Sequence, residues 1–159
     1  MLFEVKLLTL IYLVRHAQAV HDGSPDFQRA LTQKGIEQSQ NLGHWLRDKK
    51  LVPDVVIVSA SVRTCQTLVH MAIDSREIIS DAAYNATQDE LLDILRQTHT
   101  QESAVMLIAH NPGISLLAMS SGFEHELHTG ELVVLEFDGD ISEFSPEHAK
   151  VLHHHQPHV

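Results

Sequence analysis

Three stretches of this chain are apolar at nearly every position: Leu7–Val14, interrupted only by Thr9, then Val55–Val58 and Val105–Ala109. A strand without a polar side must be covered on both faces, and such runs belong to mostly parallel sheets whose crossover helices supply the cover. The segments between them have the spacing of those helices. Thr32 can cap a helix over Gln33–Lys50, with Leu42, Trp45 and Leu46 on one face, until Pro53 ends the segment. Ser61 starts another, with an inward stripe of Cys65, Leu68, Val69 and Ala72. Thr87-Gln88-Asp89-Glu90 has the capping-box pattern before the apolar face of Leu91, Leu92 and Leu95, and Ile114–Met119 completes the helices. Glu77–Ile79 reads as a short strand, Glu131–Phe137 as a strand more exposed on one side, and His21–Arg29 as a loop. Tyr12 and Trp45 read as core. The alternation predicts an α/β fold, a three-layer sandwich with a mostly parallel central sheet and helices on both faces.

The chain of 159 residues suits one domain, read here as residues 1–152 followed by a His-rich C-terminal tail over 153–159. One cysteine excludes an internal disulfide framework and a cysteine-only metal site. The formal charge of -10 argues against nucleic acid as a partner. No apolar run is long enough to span a bilayer, so no membrane partner is expected. Residues 1–19 faintly resemble a signal peptide, but Glu4 stands where a positive region belongs and Arg15-His16 interrupts the approach to cleavage. A cytoplasmic location is expected. The charge is uneven: residues 1–79 hold 9 basic and 8 acidic side chains, residues 80–159 hold 2 and 13. An anion site must therefore draw its arginines from the first half.

In an open α/β sheet, ligands bind beyond the carboxyl ends of the strands. The first strand runs into Arg15-His16, the second into Ser59-Ala60-Ser61-Val62-Arg63-Thr64, and the Val105–Ala109 strand into His110-Asn111-Pro112-Gly113. Parallel pairing brings these ends together, so two arginines and two histidines meet at one edge. Guanidinium forks match phosphate oxygens, and imidazole can attack phosphorus when neutral or donate when protonated. Each piece alone has a plainer reading: a surface turn for Arg15-His16, a salt-bridge partner for Arg63, a turn residue for His110. Their joint occurrence at strand ends favours a phosphoryl site.

These segments resemble the histidine phosphatase superfamily, the phosphoglycerate mutase-like fold. The resemblance rests on Leu13-Val14-Arg15-His16-Ala17, on Leu31-Thr32-Gln33-Lys34-Gly35, on Ser59 through Thr67 with Arg63-Thr64-Cys65-Gln66-Thr67, and on Ile108-Ala109-His110-Asn111-Pro112-Gly113. The matches are collinear over about residues 8 to 137. The short length and the Asp26-x-x-Arg29-x-Leu31-Thr32 spacing are most similar to the SixA-type phosphohistidine phosphatases. The resemblance implies that His16 is the nucleophile that becomes phosphorylated, that Arg15, Arg29 and Arg63 contact the phosphoryl oxygens, and that His110 completes the pocket. It implies no metal and no organic cofactor. Ala17 departs from the glycine commonest in the wider family. Larger members carry a catalytic Glu in an insertion after the third strand, whereas here Ser80–Ala86 is a short link without a carboxylate at Tyr84-Asn85. Asp26 is the candidate proton donor, with Asp22 behind it. The competing reading makes Asp26 a turn residue or a partner of Arg29.

The missing insertion leaves the pocket open, which suits a phosphate presented on another protein, such as the phosphohistidine of a phosphotransfer domain. Small phosphomonoesters, or phosphate binding without turnover, are the alternatives. Three features are set aside. Cys65 is not followed by the Cys-x5-Arg of thiol phosphatases, because Met71 stands at the required position. His125-Glu126-Leu127-His128 is one residue short of His-Glu-x-x-His and reads as a surface turn. His153-His154-His155 and His158 read as a mobile tail with at most weak metal affinity.

Overall fold

The computed structural model describes residues 7–98 and 100–159. The first six residues of the stretch weighed as a signal peptide lie outside them. The elements, in chain order, are β1 (Leu8–Arg15), α1 (Gln33–Asp48), β2 (Val55–Ser59), α2 (Val62–Met71), β3 (Arg76–Ser80), α3 (Gln88–Arg96), β4 (Ala104–Ala109), α4 (Gly113–Ser120), β5 (Leu132–Asp138) and β6 (Lys150–His155). They form one six-stranded sheet of order β3-β2-β4-β1-β5-β6. The β2–β3, β2–β4 and β1–β4 pairs are parallel, and the β1–β5 and β5–β6 pairs are antiparallel. The expected α/β sandwich with a mostly parallel sheet is the observed architecture.

The continuous apolar strands feed two cores because successive side chains point to opposite faces. Ile11, Leu13, Ile57, Val105, Leu107, Val133 and Leu135 pack on one face with Leu91 and Leu95 of α3 and Ile114 and Leu117 of α4. Tyr12, Val14, Val56, Val58, Met106, Ile108, Leu132 and Val134 pack on the other with Leu42 and Leu46 of α1 and Leu68 and Met71 of α2. The helix starts follow the capping chemistry. The hydroxyls of Thr32 and Ser61 accept from the Gly35 and Thr64 amides, and Thr87 and Glu90 form a reciprocal capping box.

Four expectations change. The inward face of α2 is Arg63, Thr64, Thr67, Leu68 and Met71, whereas Val69 is exposed and Cys65 half-buried. The polar members of that face are buried because they serve the strand ends, so an apolar stripe alone misplaces it. Trp45 is only half-buried and stacks on His155. The β5 strand is not open on one side, since Leu132, Val133, Val134 and Leu135 are all fully buried. It lies inside the sheet, and β6 covers its outer edge. Finally, His153, His154 and His155, read as a mobile tail, stand in β6, where Val134 faces His153 and Val133 faces His154. An edge strand needs no apolar run, so Lys150–His155 gives little signal in the sequence. Among the described residues no helix is long and apolar enough to cross a membrane.

Candidate active site

The strand order puts the carboxyl ends of β2, β4 and β1 side by side, and a cleft of about 900 Å³ opens above them. Arg15, His16, Asp26, Arg29, Arg63 and His110, all singled out in the sequence, line it. The chain leaves β1 through a tightly held turn. The His16 amide donates to Ala109 O at 3.1 Å, and the Ala17 amide donates to Thr67 Oγ1 at 3.0 Å. Thr67 Oγ1 in turn donates to Arg63 O at 2.7 Å, which ties the His16 turn to α2. Gln66 Oε1 accepts from the Leu31 amide at 2.8 Å. The Leu31–Gly35 segment fits for a steric reason: a Cβ on Gly35 would stand 2.1 Å from Gln18 O, so only glycine lets α1 approach the strand exit.

His16 is buried, and its Nδ1 lies 2.7 Å from Ala17 O. A carbonyl only accepts, so Nδ1 carries the hydrogen and Nε2 keeps the lone pair when the ring is neutral. Burial first, and then His110, Arg63 and Arg15, push the imidazole down to about 3, against a smaller upward pull from the Ala17 carbonyl. At neutral pH the ring is a base with a free nitrogen. The His110 ring lies 5.3 Å away, centroid to centroid. Its Nδ1 accepts from Arg63 Nη2 at 3.3 Å, which leaves Nε2 to donate to Ser59 Oγ at 2.8 Å. Burial, then Arg63, lowers this ring to about 4, although Asp26 pulls it upward.

The arginines are anchored from behind. Arg15 Nη1 donates to Leu127 O at 3.1 Å. Arg63 Nη1 donates to Asp26 O at 2.6 Å and its Nη2 to Asp26 Oδ2 at 3.1 Å. Arg29 donates through Nε to Val20 O at 2.7 Å and through Nη1 to Asp26 Oδ1 at 3.1 Å. The buried Nε groups of Arg15 and Arg63 have no hydrogen-bond acceptor among the described residues.

Asp26 sits in the cleft, as expected, but its surroundings do not suit a proton donor. Its carboxylate accepts from Tyr84 Oη at 2.5 Å, from Arg29 and from Arg63. The Tyr84 hydroxyl first, with the two guanidinium groups, holds it well below the usual carboxylate range, against a smaller upward push from burial. It is ionised at neutral pH, and the geometry is that of an arginine-orienting group. Asp22 accepts from its own turn at Ser24 and does not line the cleft. Cys65 lies against Ser59 O, and burial pushes its thiol up, which argues against a thiolate nucleophile.

Sequence reasoning missed Tyr84. It donates to Asp26 across 58 positions and meets Phe27 and His110 edge to face. No local signal marks it, because only the packed fold brings residue 84 over residue 26. Thr67 and Gln66 were within reach, since both lie in the quoted Ser59–Thr67 segment.

The family model of the histidine phosphatase superfamily, branch 1, matches residues 11–83. An uncharacterized protein of Mycobacterium tuberculosis is 25% identical over 157 residues, covering 91% of this chain and 99% of its own length. Phosphohistidine phosphatase SixA of Escherichia coli is 34% identical over 58 residues, 36% of each chain. Among solved structures, a candidate phosphohistidine phosphatase SixA from Nakamurella multipartitia superposes with a TM-score of 0.86 at 25% identity, over 96% of this chain and 98% of that one. The family model thus covers the stretch that carries Arg15, His16, Asp26, Arg29 and Arg63, and the fold shared with the Nakamurella structure runs through the rest of the chain.

Proposed function

We propose that the protein is a phosphohistidine phosphatase, acting without a metal through a phosphohistidine formed on His16. The observation that carries this reading is the pinned, neutral imidazole of His16 beside two arginines whose buried Nε groups lack acceptors. A phosphoryl group supplies acceptor oxygens for both arginines and an electrophile for the ring.

The chemistry follows from the tautomer. The His16 Nε2 lone pair attacks phosphorus as the bond from phosphorus to the substrate nitrogen breaks, and that electron pair stays on the departing nitrogen. A substrate ring protonated on its other nitrogen leaves as neutral imidazole, so the transfer needs no dedicated acid. That fits a cleft whose central carboxylate is held ionised. The phosphorylated His16 ring is cationic, with its Nδ1 hydrogen bonded to Ala17 O, and is therefore a good leaving group in turn. Water then attacks phosphorus, the bond from phosphorus to Nε2 breaks, and inorganic phosphate departs while its surplus proton passes to solvent. Arg15 and Arg63 stabilise the phosphoryl charge throughout, as Mg²⁺ does in other phosphoryl-transfer sites. His110 faces the same oxygens and gains a reason to protonate once an anion is bound.

The expected substrate is a phosphohistidine on another protein, such as a phosphotransfer domain, because the short 80–86 link carries no insertion and adds only Tyr84 and Asn85 to the lining of the cleft. Small phosphomonoesters fit the open cleft, but an alkoxide leaving group needs an acid that Asp26 is not poised to be. The test is phosphate release from a phosphohistidine-bearing phosphotransfer domain and from sugar phosphates, for the native protein and His16→Ala. Release from the domain alone, lost in the variant, supports the proposal. Release only from sugar phosphates would replace it with a phosphomonoesterase. No release from either, with phosphate still bound, would make the protein a binding module.

A further inference from the structure

A second group of histidines gathers away from the cleft, around a buried carboxylate. Glu131, just before β5, has a fully buried side chain. None of the described lysines or arginines forms an ion pair with it. Its partners are two imidazoles and a backbone amide. Glu131 Oε1 accepts from the His128 amide at 2.6 Å and lies 3.0 Å from His128 Nδ1. Glu131 Oε2 meets His154 Nε2, carried there by the pairing of β6 with β5. His125 stands beside them, its ring centroid 5.7 Å from that of His128. Its Nδ1 lies 2.8 Å from Glu126 O, which leaves its Nε2 available. One ligand atom from each of His125, His128 and Glu131 falls within 4.8 Å of the others.

Two ligands on a tetrahedral zinc ion stand roughly 3.3 Å apart, given metal–ligand lengths of about 2.0–2.1 Å. His128 Nδ1 and Glu131 Oε1 are already near that separation. His125 and His128 are exposed, so rotation of their side chains can close the remaining gap. Imidazole and carboxylate suit zinc and its neighbours rather than calcium or magnesium. A buried carboxylate is costly unless neutralised, and a divalent ion neutralises it more fully than imidazoles do.

We propose that His125, His128 and Glu131 form a binding site for a divalent transition metal of the zinc class, with His154 holding the second oxygen of Glu131 from outside the coordination shell. That outer contact follows the usual pairing of a liganding group with a polar partner behind it. A metal on His128 Nδ1 takes that nitrogen's lone pair, so the neutral ring then carries its hydrogen on Nε2. The site is a brace rather than a catalytic centre. Between its ligands lie Leu127, whose carbonyl holds Arg15 Nη1, and Gly130, whose amide donates to Arg15 O and His16 O. A metal there fixes the loop that supports the His16 turn.

The test is independent of the phosphatase reading. Zinc is titrated into the full chain in competition with a chromophoric chelator, with thermal melting in parallel. The variants are His125→Ala, His128→Ala, His154→Ala and His158→Ala. The first two lie at exposed positions, and circular dichroism of the metal-free proteins verifies their fold. The native protein is expected to bind one equivalent and melt higher with zinc. His125→Ala and His128→Ala should lose both effects, and His154→Ala should bind about 10–100-fold more weakly. His158→Ala should match the native protein. Zinc bound as tightly by His125→Ala and His128→Ala as by the native chain would overturn the proposal. So would binding that disappears in His158→Ala, or a native protein that binds no zinc.

Discussion

His16 and His110 sit among guanidinium groups, whereas His125, His128 and His154 gather around a carboxylate. The side chain is the same and its neighbours decide its chemistry. In the cleft, burial and nearby positive charge remove the proton from each ring. What remains is a lone pair, fixed in direction by one carbonyl at His16. At the β5–β6 edge the buried Glu131 attracts N–H groups and cations instead. One arrangement leaves a lone pair open to the cleft and the other groups three possible ligand atoms, within one small sheet.

The contrast is broken most severely at His16, the proposed nucleophile. His16→Ala should abolish phosphate release, a loss of about 10⁴-fold or more, while phosphate still binds. A trapped phosphoenzyme in the native protein, absent in the variant, is the matching observation. His125→Ala should leave release unchanged in metal-free protein, and an equal loss in both variants would dissolve the distinction. Arg63→Gln comes next, with a fall of about 10²–10³-fold in kcat, because it removes charge developed against the transition state. Steady-state kinetics measure it. Asp26→Asn should cost roughly tenfold or less if the carboxylate only orients Arg63 and Arg29. The pH profile separates the roles: a proton donor would take the alkaline limb of kcat with it when replaced, and an orienting group would not.

The smallest effect is on stability. Both cleft histidines have folded-state values below the ordinary 6.5. Between those values and 6.5 the unfolded chain binds more protons, so stability rises with pH in that window and is at its full value above 6.5. His110→Gln should flatten the slope between about pH 4 and 6.5 by up to about 1.4 kcal/mol per pH unit. Urea midpoints measured across the window check this. An unchanged slope would mean that His110 is not held neutral by burial and Arg63.

Much of this molecule is legible along the chain, for reasons that can be named. The unbroken apolar runs of β1, β2 and β4 require cover on both faces, and the two cores supply it. Thr32, Ser61 and Thr87 announce helix starts because a side-chain oxygen there satisfies an otherwise free amide. Arg15 ends β1, His16 and His110 directly follow β1 and β4, and Arg63 stands in the first turn of α2 just beyond β2, so a parallel sheet brings the four together. Those features are local, or follow from topology.

The rest depended on tertiary packing. Tyr84 reaches Asp26 only because the turn after β3 folds back over the cleft, and that contact helps to hold the expected acid ionised. The β6 strand has no apolar signature, since an edge strand buries little, yet it carries His154 to Glu131. His125-Glu126-Leu127-His128 and His153-His154-His155 each look inconsequential in sequence, and β5–β6 pairing makes neighbours of them. The sequence by itself determined the layers, the helix starts and the edge where the arginines and cleft histidines converge, because periodicity and capping act over a few residues. Protonation states, the role of Asp26 and the histidine cluster were decided by the tertiary structure, because burial and charge proximity exist only between groups that folding brings together.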